Sequence, residues 1–381
     1  MNPKNILKLL TIAFDQPQYN LESIINEDEK AFSFQIESFI KNAIQDSLFV
    51  ETYSALSFEN KNTIPESISI ENDGDNFNID ENFYFCATPN EEIDKEKILI
   101  VGENNVWNSD QSGFNLEMYI GRTLSFKGEL KVEALTQSIN SMTHSYTIQS
   151  IISASGVLVS PLLIVLQGTD GKFGPRIQKN LFKAENVLVF TSNSGKLTSA
   201  LVKTWFQEVF LPSSSDKSVL LLDSRSGQNS KLFESFPKSK KLIQIENIPA
   251  GTTGMIQPLD VFFFRSWKNF IRYFSGTVVL YNHDINLHHR NNIIKLQSLI
   301  HIQFSSPRFK NLIKYAWYKS GYISEKLPEF DNPSVDYCFK KCAAICNLCS
   351  TSTVIRCAWS KKSLCMNHFF TDYHICKNFQ E

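Results

Sequence analysis

The chain has 381 residues, enough for one catalytic-size domain with smaller appendages, and its 42% apolar content excludes a wholly disordered protein. No run approaches the roughly 18 uninterrupted apolar residues of a membrane span, and the first twenty residues lack a small-residue cleavage site, so a soluble, intracellular protein without membrane contact is predicted. The net charge of -1 conceals a split: residues 1–100 hold 7 Lys and no Arg against 19 acidic residues, and the remainder holds 31 basic and 20 acidic ones. A phosphate backbone would repel the first part and attract the second, although an ordinary solvated surface would account for the basic part equally well.

In chain order, Ala31–Ile44 has apolar residues at three- and four-residue spacing and predicts a helix. Residues 54–90 are polar and acidic and predict a loop or linker. Neither a basic recognition helix nor an internal repeat is visible in this first part. Organisation sharpens at NVWNSD, a short strand predicted to end at Asp110 and to be followed by the turn Gln111-Ser112-Gly113. HSYTIQSIISASG and VLVSPLLIVLQG predict two strands joined in a hairpin at Ser155-Gly156, and NVLVFTSNSG predicts another strand. LTSALVKTWFQEVFLP carries a helical stripe, Leu197, Leu201, Trp205 and Val209, that stops at Pro212. KSVLLLD and KLIQIENIP predict strands, VFFFRSWKNFIRYFSG a buried helix ending near Gly276, and residues 286–320 two helices split by Ser-Ser-Pro. This order argues a mixed sheet with helices on its faces.

Three aspartates stand at element ends: Asp110 closing NVWNSD, Asp223 closing VLLLD, and Asp260 in QPLD before an aromatic helix. Each has an ordinary alternative. Asp223 suits a turn, and Asp260 suits a helix N-cap. If the sheet brings them together, three carboxylates repel one another unless cations lie between them, and hard oxygen ligands suit Mg²⁺ or Mn²⁺. Two such ions can activate an attacking hydroxyl and stabilise a leaving oxygen in phosphodiester cleavage.

The blocks NVWNSDQSGFNLEM, GRTLSFKG, VLLLDSRSG and PAGTTGMIQPLDVFFFRSWK resemble, in this order, those of the pogo/Tigger-type DDE transposases, whose catalytic part is the DDE superfamily endonuclease domain. The resemblance covers about residues 98–275 and implies an α/β, RNase H-like fold with a mixed five-stranded sheet flanked by helices. It implies that Asp110, Asp223 and Asp260 are the catalytic metal ligands, that DNA is the partner, and that the protein is nuclear. Arg122, Lys127 and Lys131, in GRTLSFKGELK, are candidate phosphate contacts, with a solvated basic loop as the alternative. Two departures stand out. Gln228 lies near the place where relatives often carry a His, and residues 1–97 do not read as the helix-turn-helix that relatives place there. A domesticated or decayed non-catalytic derivative that binds nucleic acid or a protein is therefore the alternative to a transposase-type endonuclease.

Seven of the eight cysteines lie between Cys338 and Cys376. Cys346-x₂-Cys349 and Cys365-x₂-His368 are metal-ligand pairs, and alternate pairing makes these four a complete tetrahedral Zn²⁺ site. Cys357, His374 and Cys376 form a second, three-ligand set, because Ser360 stands where a fourth ligand would fall, unless Cys338 or Cys342 supplies it. Reduced structural cysteines are the alternative. The expected organisation is an acidic segment 1–97, a DDE endonuclease-like domain 98–325 and a zinc-binding tail 326–381. A homodimer and a protein partner for the tail are further expectations.

Overall fold

The computed structural model describes residues 98, 100–118, 136–138, 140, 143–224, 233, 241–333 and 344–379. The helix predicted over Ala31–Ile44 and the acidic segment around it lie outside the described residues. The described part has a six-stranded sheet of β1 (Val106–Asn115), β2 (Ser145–Ser153), β3 (Leu162–Gln167), β4 (Val187–Ser192), β5 (Lys217–Asp223) and β6 (Leu242–Ile248). Their spatial order is β4-β3-β2-β1-β5-β6. β2 pairs antiparallel with β1 and β3, while β3/β4, β1/β5 and β5/β6 are parallel, so five strands point one way and β2 runs against them. Those five therefore end on one edge of the sheet.

The sheet departs from expectation in two ways. The sheet has six strands rather than five, because Val187–Ser192 joins the outer side of β3 over the full register from Leu162↔Val187 to Gln167↔Ser192. That pairing satisfies the backbone polar groups that a buried edge strand would otherwise leave open. β1 does not stop at Asp110. Gln111, Ser112 and Gly113 remain paired with Gln149, Ile148 and Thr147, because β2 is long enough to supply partners for residues that would form a turn on their own. The β2–β3 connection does turn at Ser155-Gly156. Gly156 has φ +90°, and a Cβ there would lie 2.5 Å from the carbonyl oxygen of Lys310, so glycine is required on both counts.

Period-two alternation divides the sheet residues between two layers. Leu220 and Leu222 face one side, where they pack with Trp107, Trp205, Phe206 and Phe210. The helix on that side, α2, follows a short crossover helix α1 (Pro175–Lys179) and spans Ser199–Trp205. The Thr198 side chain caps it, and it continues as a π turn, Phe206–Phe210, and a last α turn, Leu211–Ser213. Val219 and Leu221 face the other side, covered by α3 (Thr253–Ile256), a π turn (Leu259–Phe263), α4 (Phe264–Leu280), α5 (Arg290–Phe304) and α6 (Lys310–Lys319). α4 runs past Gly276, which is buried inside it, to Leu280, so the helix does not end near that glycine as expected. A polar chain ties α4 and α5 to β2 on this face: Trp267 Nε1 donates to Gln297 Oε1 at 2.8 Å, and Gln297 Nε2 donates to the Tyr146 hydroxyl at 2.5 Å. None of the described helices is long and apolar enough to cross a membrane.

The cysteine-rich end has a two-stranded ribbon, β7 (Ile355–Arg356) and β8 (Ser363–Leu364), and a π turn, Asn367–Thr371. It shares a core with α4 and α5. Phe370 packs 5.0 Å from Phe274 between ring centroids, the Ala358 N–H donates to Gln303 Oε1 at 2.7 Å, and Trp359 Nε1 donates to the Ile302 carbonyl at 2.6 Å.

Candidate active site and metal centres

The parallel register of β1 and β5 pairs Val106 with Val219 and Asn108 with Leu221. Two residues further along each strand, Asp110 and Asp223 stand at the same level, on the faces set by Asn108 and Leu221. Both are buried, and Asp223 is the last residue of β5. Asp260 arrives from a different element, the π turn Leu259–Phe263, where it follows the entry residue Pro258 rather than capping the helix. The Asn108 side chain fixes that arrival. Its Nδ2 donates to the Leu221 carbonyl at 3.2 Å, and its Oδ1 accepts the Leu259 N–H at 3.1 Å. One buried carboxamide thus joins β1, β5 and the turn that carries Asp260.

The electrostatics agree with this proximity. Burial pushes the Asp110 carboxyl well above its usual range, the Asp260 charge raises it further, and Asp223 adds a smaller push against the backbone N–H of Gln111. Gln257 lies beside Asp110 and lowers its pKa slightly. That effect is a hydrogen bond from the Gln257 amide nitrogen to the carboxyl, while Gln257 Oε1 is buried without a partner, so one polar group of the site is left over. Lys268, on α4, faces the same charges. Burial lowers its pKa, whereas Asp260 and Asp110 raise it, and its Nζ lies 5.4 Å from the centroid of the Phe114 ring. An all-oxygen donor set with an unsatisfied polar neighbour fits Mg²⁺ or Mn²⁺ rather than a softer metal. Sequence reasoning missed Asn108, Gln257 as a neighbour of Asp110, and Lys268. The first is visible only as the residue two before Asp110, on the same strand face.

Among the described residues, two Cys/His groups have ligand atoms that all lie within 4.8 Å of one another. The first is Cys346, Cys349, Cys365 and His368. Its Cys349 and Cys365 sulfurs are 3.7 Å apart, and His368 Nδ1 lies 3.3, 3.4 and 3.2 Å from the sulfurs of Cys346, Cys349 and Cys365. A tetrahedron with Zn–S of about 2.3 Å requires S···S of about 3.8 Å, so the cage already has the size of a zinc site. His368 Nε2 points to Asp372, 3.9 Å away, the carboxylate partner that commonly orients a ligating imidazole. Burial pushes the Cys346 thiol up, but the backbone N–H groups of Leu348, Cys365 and Cys349 bring it down to about 6. Contact with Cys346 raises the pKa of His368. The second group is Cys357, His374 and Cys376, with both sulfurs buried and a buried His374 Nε2 that has no partner. Ser360 is not part of it; its hydroxyl accepts the Lys362 N–H at 3.5 Å. Arg122, Lys127, Lys131, Gln228, Cys338 and Cys342 lie outside the described residues.

Residues 144–317 match the family described as DDE superfamily endonuclease, and residues 317–376 match the Tc5 transposase C-terminal domain. Asp223 and Asp260 fall within the first match, whereas Asp110 lies before it and joins them through the sheet. Both cysteine groups fall within the second. The pogo/Tigger-type resemblance is consistent with these matches. Similar solved structures include the Mos1 mariner paired end complex with Mn, at 10% identity over 86% of this chain and 94% of that one, with a TM-score of 0.32. The Mos1 strand transfer complex is similar at 8% identity over 86% and 93% of the two chains, with a TM-score of 0.30. No curated protein matches the chain.

Proposed function

We propose that this chain, which carries a DDE superfamily endonuclease domain followed by a Tc5 transposase C-terminal domain, is a metal-dependent DNA endonuclease of the transposase type with an RNase H-like catalytic core. The observation that carries this reading is the convergence of Asp110, Asp223 and Asp260 at the carboxyl edge of one sheet. These three carboxylates would hold Mg²⁺ or Mn²⁺, and the bound ions supply activation of the attacking hydroxyl and charge stabilisation at the leaving oxygen. The chain's own residues contribute position. β1 and β5 hold two carboxylates on a rigid platform, Asn108 ties the third to them, and Lys268 offers a cation beside the place where a phosphate would lie.

The Cys346, Cys349, Cys365 and His368 cage would hold a structural Zn²⁺ that fixes the C-terminal module. The test is nicking of supercoiled plasmid by the purified full chain with Mn²⁺. We expect activity in the unaltered protein and none in Asp223→Asn, with both retaining the same circular-dichroism spectrum. Equal nicking by the two would remove the assignment.

A further inference from the structure

The carboxyl edge of the sheet holds a second feature beside the acid trio. A cavity of about 1010 Å³ opens where β1 and β3 end, where β2 begins and just beyond β4, with Leu116, Gln167, Ser145 and Asn193 among its lining residues. Its lining carries two cations, Lys172 and Arg290, against one carboxylate, Asp170, and the imidazoles of His144, His288 and His289 add hydrogen-bonding groups. The imbalance continues outside it. From Lys172 to Lys183 the chain reads KFGPRIQKNLFK, four cations and no acid, and Lys172, Arg176 and Lys179 are exposed.

The walls are held in place. Asn291 Oδ1 accepts the Phe182 N–H at 3.0 Å, and its Nδ2 donates to the Asn180 carbonyl at 2.8 Å, clamping the basic segment to the start of α5. The Arg290 guanidinium lies 5.3 Å over the Phe173 ring. Such stacking leaves its N–H groups free to meet an anion in plane. Next to the lining residue Leu116, Glu117 accepts the N–H groups of Gln137 and Ser138 at 2.7 and 3.1 Å, and Gln137 in turn bonds Ile285 and Leu287 at 2.8 and 2.9 Å. These bonds bring the returning β1–β2 connection against the segment that leads into His288 and His289.

We infer that this cavity is a DNA-backbone site distinct from the metal-binding trio: it seats phosphodiester groups of the strand that runs on from the cleaved bond. The inference rests on the DNA reading proposed above. The rest of β1, Gln111 to Asn115, separates Asp110 from Leu116 by roughly 20 Å. At about 3.4 Å of helix axis per nucleotide, a duplex lying along β1 reaches the cavity about six base pairs from the trio. The fixed cations and aromatic surface suit phosphate and sugar contacts, which position a duplex without reading its sequence.

The experiment is fluorescence anisotropy of a labelled duplex with the zinc-loaded full chain, without added Mg²⁺ or Mn²⁺ so that cleavage does not enter, over a series of NaCl concentrations. The Lys172→Ala/Arg290→Ala variant should bind about tenfold more weakly, with the slope of log K against log salt reduced by about 2, one for each phosphate that the variant no longer neutralises. A control at the amino edge of the sheet, Lys217→Ala/Lys310→Ala, should change affinity less than twofold. Should the double variant fail to fold, Lys172→Glu alters an exposed position and should weaken binding by itself. Unchanged affinity and slope in a folded cavity variant, or an equal loss in the control, would overturn the cavity site and leave the endonuclease reading standing. Absence of binding by the unaltered chain would overturn both.

Discussion

The side-chain oxygen of Asn108 accepts the backbone N–H of Leu259 at 3.1 Å, so the residue two before Asp110 holds the residue immediately before Asp260. The other end of the same carboxamide donates to Leu221, two before Asp223. All three acids are thus referred to one buried group. Replacing Asn108 by Leu keeps the volume but leaves the Leu259 N–H without its acceptor. Such an orphan costs about 1–3 kcal/mol. The expected outcome is a lower denaturant midpoint and at least a tenfold loss of Mn²⁺-dependent nicking, with DNA affinity unchanged. Normal nicking by Asn108→Leu would show that Asp260 is positioned by other contacts.

Asp110 is buried and pressed by Asp260 and Asp223, so its charge destabilises the fold when no cation is bound. Asp110→Asn should therefore raise the melting temperature of the zinc-loaded chain without added Mg²⁺ or Mn²⁺ by a few degrees. Mn²⁺ should reverse the order. It should stabilise the unaltered chain by about 2.7 kcal/mol at a hundred times its Kd and stabilise the variant far less. Thermal melts of both proteins with and without Mn²⁺ check this, and an equal metal response would remove Asp110 from the ligand set.

Much of this arrangement was legible in the sequence. The apolar runs at VLLLD and LLIVLQ read as buried strands, and the three aspartates stood out because each was predicted to close a strand or open an aromatic helix. The Cys/His spacing likewise separated the four-ligand from the three-ligand group, and the structure groups the same residues. What escaped was what depends on partners distant in sequence. Gln111-Ser112-Gly113 is turn-like text, and only the length of β2 keeps it extended. Asn108 is an ordinary strand residue until Leu221 and Leu259, more than a hundred positions away, come within reach of it. The basic cavity combines segments near 116, 144, 172 and 290, and no local pattern signals their meeting.

Zinc content should distinguish the two cysteine groups. Four thiolate and imidazole ligands close a structural site, whereas three leave a position for water. The full chain should retain one zinc after dialysis against a moderate chelator, and Cys349→Ser should lose it and melt several degrees lower. Cys357→Ser should keep that zinc while losing some stability, because Cys357 is fully buried in the core shared with α4 and α5. Two zinc ions resistant to the chelator would require a fourth ligand for the second group, and none would reduce both groups to ordinary reduced cysteines.

His301 gives the fold a pH dependence separate from either metal centre. Its ring is fully buried, Nε2 donates to the Val159 carbonyl at 2.9 Å, and Nδ1 lies 3.2 Å from Asn186 Nδ2. Because the Asn186 amide nitrogen can only donate, Nδ1 must accept, and a proton there would set two donors against each other. Burial accordingly lowers the His301 pKa to about 4 from 6.5, with the bond to Val159 opposing the shift. The folded value lies below the unfolded one, so below pH 6.5 the unfolded chain takes up a proton that the folded chain refuses. Stability is therefore full above about 6.5 and is lost as pH falls towards 4, by roughly 3 kcal/mol in all at 1.36 kcal/mol per unit. His301→Gln should lower stability at pH 7.5 and flatten its decline between pH 6.5 and 4.5, measured as denaturant midpoints with zinc held constant. A decline as steep in the variant as in the unaltered chain would assign the acid sensitivity to other groups.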